Sequence, residues 1–492
     1  LVGPSSNPEP VALSAFASPD ALDPLLLQFL EGASERLCSW IGSAGERGPL
    51  PALRVLPDAA PQAHGRDMEQ LLDDLQQVMD GSFQPSHPGA LAHLDPPPLS
   101  ASIAADLICA GLNNNLLAEE LSPSLSHLER QLCAWFAERL GFPAGASGVA
   151  ASGGTLSNLI ALVSARHHAG LDHNPEAVVV VSADAHVSWH KAARVMGLQS
   201  DGVRAIPVDE QGLIDLQQLE AEVATLSREG RPCIAVVATA GTTVRGAIDP
   251  VSAMADFCAR LGLWLHVDGA IGAVFALSAT TTHLLHGIAR ADSVTVNPQK
   301  VLGITKTSSL LLVRKAAVLA AAFSTGLPYM EPALEHDHGG ELGLQGSRPA
   351  EVLKLWLGLR QLGESGIEQV LTAAIARREY LQQQLDPNRL MILSGPLHVL
   401  AVRPQRGQAQ QHERWSIETR RLLLSQGIMV SRPLHQGHHF LKAVLGNPHT
   451  DHGLLDQLVT QNDPPSSPNR GHNPTDARAT RSGIHDPPIG RF

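Results

Sequence analysis

The sequence predicts an α/β protein: a large domain on a buried, mostly parallel sheet, a smaller α+β domain after it, and a helical arm in front. Two observations carry this prediction. From residue 101 to about 330, short apolar runs alternate with helix-like segments, the pattern of strands joined by crossover helices and covered on both faces. The runs fall at residues 177–181, 233–238, 263–267, 293–296 and 309–313. Beyond residue 345 the order changes to two amphipathic helical stretches, 349–362 and 368–385, followed by strand-like pieces at 397–402 and 427–430.

Each unit follows from its own composition. A chain of 492 residues exceeds one small core, so two or three packed units are expected. Residues 1–100 are rich in Pro, carry helical patches at 21–32 and 66–79 and have no core of their own, which marks an arm that packs on something else. Residues 101–344 hold the sheet and 345–462 the smaller domain. Residues 463–492 are full of Pro, Asn, Gly, Arg and Ser with few apolar side chains, so the tail is expected to be disordered. No internal repeat is visible.

Composition excludes several functions. The formal net charge is −12 and there is no Lys/Arg block, so a nucleic-acid backbone finds nothing to grip. No uncharged apolar run reaches membrane-spanning length, and residues 1–14 have neither the basic start nor the apolar stretch of a signal peptide. The five cysteines, Cys38, Cys109, Cys133, Cys233 and Cys258, are scattered with no Cys-x-x-Cys pair. They read as reduced core thiols rather than a disulfide framework or a metal site, and a cytoplasmic address is expected.

Three segments carry chemistry. Ala151-Ser-Gly-Gly-Thr-Leu-Ser-Asn158 enters a helix-periodic stretch, and small residues at a helix N-terminus leave backbone N–H groups free for a phosphate, although a plain turn and cap reads the same way. Leu263-Trp-Leu-His-Val-Asp268 ends a buried strand on a carboxylate, at the edge where α/β folds bind ligands; a helix cap or structural ion pair is the plainer reading. His266, two residues before Asp268, is left out of the site. Ala291-Asp-Ser-Val-Thr-Val-Asn-Pro-Gln-Lys300 runs from a strand through a Pro turn to a lysine, which can form an imine with an aldehyde if its amine is desolvated. Most lysines after strands are simply solvated. The three together, in this order on one sheet, are the anchors that pyridoxal 5′-phosphate (PLP) needs.

The ordered motifs His87-Pro88, Ser122-Pro123, Ser152-Gly-Gly-Thr155, Ala185-His186, Thr239-Ala-Gly-Thr-Thr243, His266-Val-Asp268, Asn297-Pro-Gln-Lys300 and Arg348 resemble the group II PLP-dependent amino-acid decarboxylases over residues 85–450. That family includes enzymes acting on glutamate, aromatic amino acids, cysteine sulfinate and 2,4-diaminobutyrate. The resemblance implies the PLP-dependent transferase fold of the aspartate aminotransferase type (fold type I), with a mostly parallel seven-stranded sheet. It implies that Gly154, Thr155 and Asn297 hold the phosphate, that His186 stacks on the pyridine ring, that Thr239 and Ala270 line the ring pocket, that Asp268 pairs with the ring nitrogen, and that Lys300 carries the cofactor. Tyr329, in the segment 323–329, matches the tyrosine of a mobile loop that returns a proton to the α-carbon. A homodimer with the arm wrapped on the second subunit is implied, and no metal.

Substrate choice rests on few residues. Arg348 matches an arginine that grips an acidic substrate, and His93, in Ala92-His-Leu94, matches a substrate-side position of the diaminobutyrate-type members. The expected substrate is therefore 2,4-diaminobutyrate or an acidic amino acid such as glutamate or aspartate. The chain departs from the family at Gln299, where His is usual, at Ile271, where Tyr is usual, and at Lys442, where Arg is expected. Gln299 cannot titrate. These departures keep two alternatives open: another PLP reaction on the same fold, of aminotransferase or desulfurase type, and a non-catalytic PLP-binding homologue.

Overall fold

The computed structural model describes residues 15–328, 330 and 338–462. Its centre is a seven-stranded sheet made of β1 (Ser147–Ala151), β2 (Val178–Ser182), β3 (Val203–Ile206), β4 (Cys233–Thr239), β5 (Trp264–Gly269), β6 (Ser293–Val296) and β7 (Ser309–Val313). The spatial order is β1–β7–β6–β5–β4–β2–β3. Strands β2 to β6 pair in parallel, and β7 runs antiparallel between β1 and β6. The five apolar runs of the sequence are β2, β4, β5, β6 and β7.

Alternation along the central strands feeds two cores. Val178, Val180 and Val236 join Phe136, Met254 and Phe275 on one face of the sheet. Val179, Val181 and Val237 join Leu162 and Trp189 on the other. Both faces are thus covered, which is why these strands read as unbroken apolar runs. Strands β1 and β3 escaped the sequence reading because β1 is built of Ser, Gly and Ala around one Val, and β3 is a half-exposed edge.

The smaller domain holds an antiparallel sheet in the order β12–β9–β8, from β8 (Leu390–Ser394), β9 (Val399–Pro404) and β12 (Leu441–Val444). A short hairpin, β10 (Leu434–His435) with β11 (His438–His439), precedes the last strand. The helix Val352–Gln384 leads into this domain and breaks at Gly363, between the two helical stretches that the sequence predicts. The strand expected at 427–430 is a correction. Only Met429 pairs there, in parallel with Ala90 of the arm, with Leu91 N–H donating to the Met429 carbonyl at 2.9 Å and Met429 N–H to that of Gly89 at 2.8 Å.

In the arm, Asp23 caps the helix Pro24–Gly42, and Asp67 with Gln70 forms a capping box on Met68–Asp80. Arg36 ties the two together through Glu69 (2.7 Å) and Asp73 (3.0 Å). Leu25, Leu26, Leu27, Leu71, Leu75 and Val78 stay exposed on these helices. All five cysteines are free; Cys38 is exposed, which corrects the expectation of a core thiol there. Among the described residues, no helix is long and apolar enough to cross a membrane and no cluster of side chains is arranged to hold a metal. The tail from residue 463 lies outside the described residues.

Candidate active site

A cleft of about 200 Å³ opens at the C-terminal ends of the parallel strands, and Gly154, Thr155, His186, Thr239, Asp268, Ala270, Asn297 and Lys300 all line it. The eight cofactor positions expected from the sequence are thus brought together by five separate segments.

The first wall is a helix N-terminus. Gly153 takes a left-handed backbone (φ 94°), which turns the chain from β1 into the helix Gly154–His168. Gly154 faces Asn297 so closely that a side-chain carbon would sit 2.9 Å from the Asn297 amide. That amide satisfies all its neighbours with its oxygen toward Gly154 N–H (3.2 Å) and its nitrogen toward Ser309 Oγ (2.6 Å) and the Val296 carbonyl (3.1 Å); reversed, it sets donor against donor.

The second wall is Asp268, buried at the end of β5, with its Oδ2 accepting from Asn158 Nδ2 at 2.9 Å and its Oδ1 from Ala270 N–H at 3.3 Å. Asn158 in turn donates to Ser188 Oγ (3.0 Å) and accepts from Thr295 Oγ1 (2.8 Å). Ser188 closes the chain on His186, whose Nδ1 lies 3.0 Å from the Ser188 hydroxyl and accepts from Ser188 N–H at 3.3 Å. A backbone N–H only donates, so Nδ1 is unprotonated and the ring proton is on Nε2. Burial holds His186 below its usual 6.5, with Lys300 and Lys191 adding to the effect and Asp268 opposing it.

Lys300 ends the short turn Pro298–Lys300 after β6. Burial lowers its amine from the usual 10.5, against the pull of Asp268 and Asp95, so more of it is neutral near pH 7 than in a solvated lysine. Its amine has no hydrogen bond or ion pair among the described residues. Thr239, paired in register with Asp268, has a buried hydroxyl without a partner. An amine in the cleft and a buried hydroxyl on a residue that lines it, both without partners among the described residues, leave polar groups for a ligand to satisfy, and a phosphorylated aldehyde fits the donors present. Gln299 also lines the cleft, its side-chain oxygen held by Ser308 N–H so that its NH₂ is the end left free.

The substrate-side expectations divide. His93 and Asp95 share with Lys300 a narrow depression completed by Val444 and Gly446 of the smaller domain. Lys306 binds Asp95 from outside. Arg348 is a correction: it is buried away from the cleft, its Nη2 donating to Glu129 Oε2 at 2.8 Å while Glu129 Oε1 accepts from Ala150 N–H at 2.7 Å. Glu129 uses up the charge that the sequence reading assigned to a substrate. Tyr329 lies outside the described residues. His266 stays out of the cleft, bonded to Ser293 Oγ at 2.8 Å and edge-on to Trp189. Sequence reasoning missed the Asn158–Ser188 chain, although Asn158 closes the quoted helix-entry motif. It also assigned no role to Lys442, whose amine is pushed down to about 8 by burial first and Lys300 second.

A partly desolvated lysine, a buried carboxylate held by an amide, a histidine with its Nδ1 edge tied down and a helix N-terminus meet in one cleft on one α/β sheet, a set of groups that fits PLP. Residues 49–395 match the pyridoxal-dependent decarboxylase conserved domain, and the chain belongs to that family of PLP-dependent carboxy-lyases acting on amino acids. Among its relatives, the cysteine sulfinic acid decarboxylase of Mus musculus is 33% identical over 372 residues, 72% of each chain. The L-2,4-diaminobutyrate decarboxylase of Rhizobium meliloti (strain 1021) is 32% identical over 369 residues, 74% of this chain and 73% of that one. The crystal structure of mouse CSAD in apo form superposes with a TM-score of 0.81 at 26% identity, covering 90% of this chain and 100% of that one, so the fold is the type I fold of PLP enzymes.

Proposed function

We propose that this enzyme α-decarboxylates 2,4-diaminobutyrate or an acidic amino acid, with Lys300 carrying the cofactor. The observation that carries the reading is the convergence of the Lys300 amine, the Asn158-held Asp268 and the His186 ring in one cleft. Bound PLP supplies an electron sink for the charge left on the α-carbon as carbon dioxide departs. Asp268, fixed by Asn158, is placed to keep the ring nitrogen protonated. His186 presents its ring face with the Nδ1 edge tied down, and Gly154, Thr155 and Asn297 offer donors to the phosphate. Thr239 and Ala270 close the ring pocket, and Tyr329 keeps the proton-returning role that the resemblance implies.

Two observations support the substrate class. Relatives at this level of identity are named for cysteine sulfinic acid and for L-2,4-diaminobutyrate. Beside Lys300 the chain sets both signs of charge, Asp95 against the Lys442 amine with His93 between their fields, which suits a short charged side chain and disfavours an aromatic one. The exposed apolar residues of the arm support a homodimer in which the arm covers a second copy, and the five free thiols suit the cytoplasm.

The test is to incubate PLP-loaded enzyme with glutamate, aspartate, cysteine sulfinate, 2,4-diaminobutyrate, lysine and tyrosine, and to quantify carbon dioxide and amine. Product from a diamino or acidic substrate, abolished in Lys300→Ala, is expected. Tyrosine as the preferred substrate, or a keto acid in place of an amine, overturns the reading.

A further inference from the structure

Arg245 is a buried charge that the cofactor chemistry does not use. It sits in the turn after β4, just beyond the cleft-lining Gly241 and Thr243, and is only 3% exposed. Its guanidinium reaches three other segments. Nη1 donates to the Glu210 carbonyl at 3.1 Å, Nη2 meets Nε2 of His435 at 3.2 Å, and Nε lies 3.8 Å from Asp184 Oδ2. His435 Nδ1 lies 3.8 Å from Asp184 Oδ1. Asp184 is two residues ahead of His186 on the loop after β2, and His435 ends β10 in the smaller domain. One cation thus joins the loop of the ring-stacking histidine, the turn that lines the cleft, and the smaller domain.

The contact fixes the state of His435. A guanidinium only donates, so Nε2 accepts, and the one proton of a neutral ring is on Nδ1, facing Asp184. A second proton on Nε2 sets N–H against N–H at 3.2 Å and adds a charge beside Arg245. The charged groups facing His435 are Asp184 from the loop after β2 and Arg245 from the turn after β4, while Phe440 closes another side edge-on. Asp249 lies behind them, within the fields of Asp184 and Asp209.

We propose that Arg245, bridging Asp184 and neutral His435, is a positioning residue that holds the His186 loop and the smaller domain together around the cofactor, and that protonation of His435 releases this hold. Burial lowers His435 below its usual 6.5, with Arg245 assisting and Asp184 opposing. The neutral form therefore prevails at neutral pH, and the release falls on the acid side of 6.5. The proposal rests on His186 as the ring-stacking residue.

The test measures the PLP dissociation constant of apo-enzyme by absorbance titration at about pH 7.5 and about pH 5.5, for wild type and His435→Gln. A glutamine carbonyl accepts from Arg245 and does not titrate. Lys300, and Asp249, which burial pushes up to about 6, titrate in both proteins and cancel from the comparison. Wild type is expected to weaken about threefold to tenfold more than His435→Gln on acidification, the size of effect one linked proton produces. Arg245→Met is expected to bind weakly at both pH values. Parallel pH curves for wild type and His435→Gln, with both proteins folded by circular dichroism, overturn the proposal. His186→Ala at about pH 7.5 separates the underlying reading: unchanged affinity there removes His186 from the ring while leaving the His435 comparison to be read by itself.

Discussion

Asn158→Ala tests whether Asp268 works because it is held. Asn158 is 1% exposed, and its amide joins Asp268 Oδ2 (2.9 Å), Ser188 Oγ (3.0 Å) and Thr295 Oγ1 (2.8 Å). Removing it deletes one hydrogen bond to a carboxylate, worth about 1.5–3 kcal/mol, and leaves buried hydroxyls that cost about 1–3 kcal/mol each where they find no new partner. The first quantity falls on the orientation of Asp268 and, through Ser188, of His186. If it is expressed in the cofactor complex, PLP binding weakens by roughly ten- to hundredfold. The second falls on the fold and appears as a lower urea midpoint in the apo-enzyme. The assay is therefore paired: equilibrium dialysis of PLP against apo-enzyme, and urea unfolding of apo- and holo-enzyme. The gap between the two midpoints should shrink in the variant, because less binding energy remains to stabilise the folded state. Asn158→Asp should act more strongly, since a second carboxylate beside Asp268 favours a protonated pair and weakens the anion offered to the ring. An Asn158→Ala protein that unfolds earlier yet binds PLP as wild type does would refute the reasoning, leaving the amide a purely structural group.

Arg348→Met should strand the Glu129 carboxylate, whose side chain is 7% exposed, and cost about 3–5 kcal/mol of stability, read as a lower unfolding midpoint. Substrate KM in the folded fraction should change little; a large KM increase without destabilisation would return Arg348 to the substrate. Glu341 gathers Ser324 Oγ, Thr325 N–H and Gly326 N–H at 2.6–2.8 Å, and these bonds outweigh its burial to hold its carboxyl below the usual 4.5. A depressed carboxyl contributes stability that is present above 4.5 and lost as pH falls through the folded-state value. Glu341→Gln should therefore speed amide exchange at Thr325 and Gly326 near neutrality, and the difference from wild type should close in acid; equal exchange at neutral pH would exclude this anchoring.

What the sequence disclosed follows from which forces leave a local trace. Strands buried on both faces leave continuous apolar runs, so β6 and β7 are legible end to end, and the helix break at Gly363 falls where two amphipathic stretches part. β1 leaves no such trace. Its Gly148 is selected by contact with β7, where a side-chain carbon would lie 2.3 Å from the Leu311 carbonyl, and nothing local announces that neighbour. The same contrast divides the site. Lys300, Asp268 and Gly154 stand at element ends with recognisable surroundings, whereas Arg348 is decided by Glu129, 219 residues away, which no local pattern reveals. The Asp184–Arg245–His435 bridge is hidden for the same reason.

The stitching of the arm into the smaller domain bears on how the chain is made. Asn447 donates to the His87 carbonyl at 2.8 Å, Thr450 to that of Pro88, and Val444 N–H to that of Leu91, so three carbonyls near residue 90 take partners from residues 444–450. His87 and Asn447 are 360 residues apart, an interval of roughly 20–70 s at ordinary rates of synthesis. During that time these long-range donors do not yet exist, and the early segment has only water and local bonds such as Ala90 N–H to the His87 carbonyl at 2.9 Å. His93, beside Lys300, lies just past this seam. The depression that His93 shares with Lys300 is therefore walled only after Val444 and Gly446 have been made, so this side of the cleft is among the last parts of the fold to close.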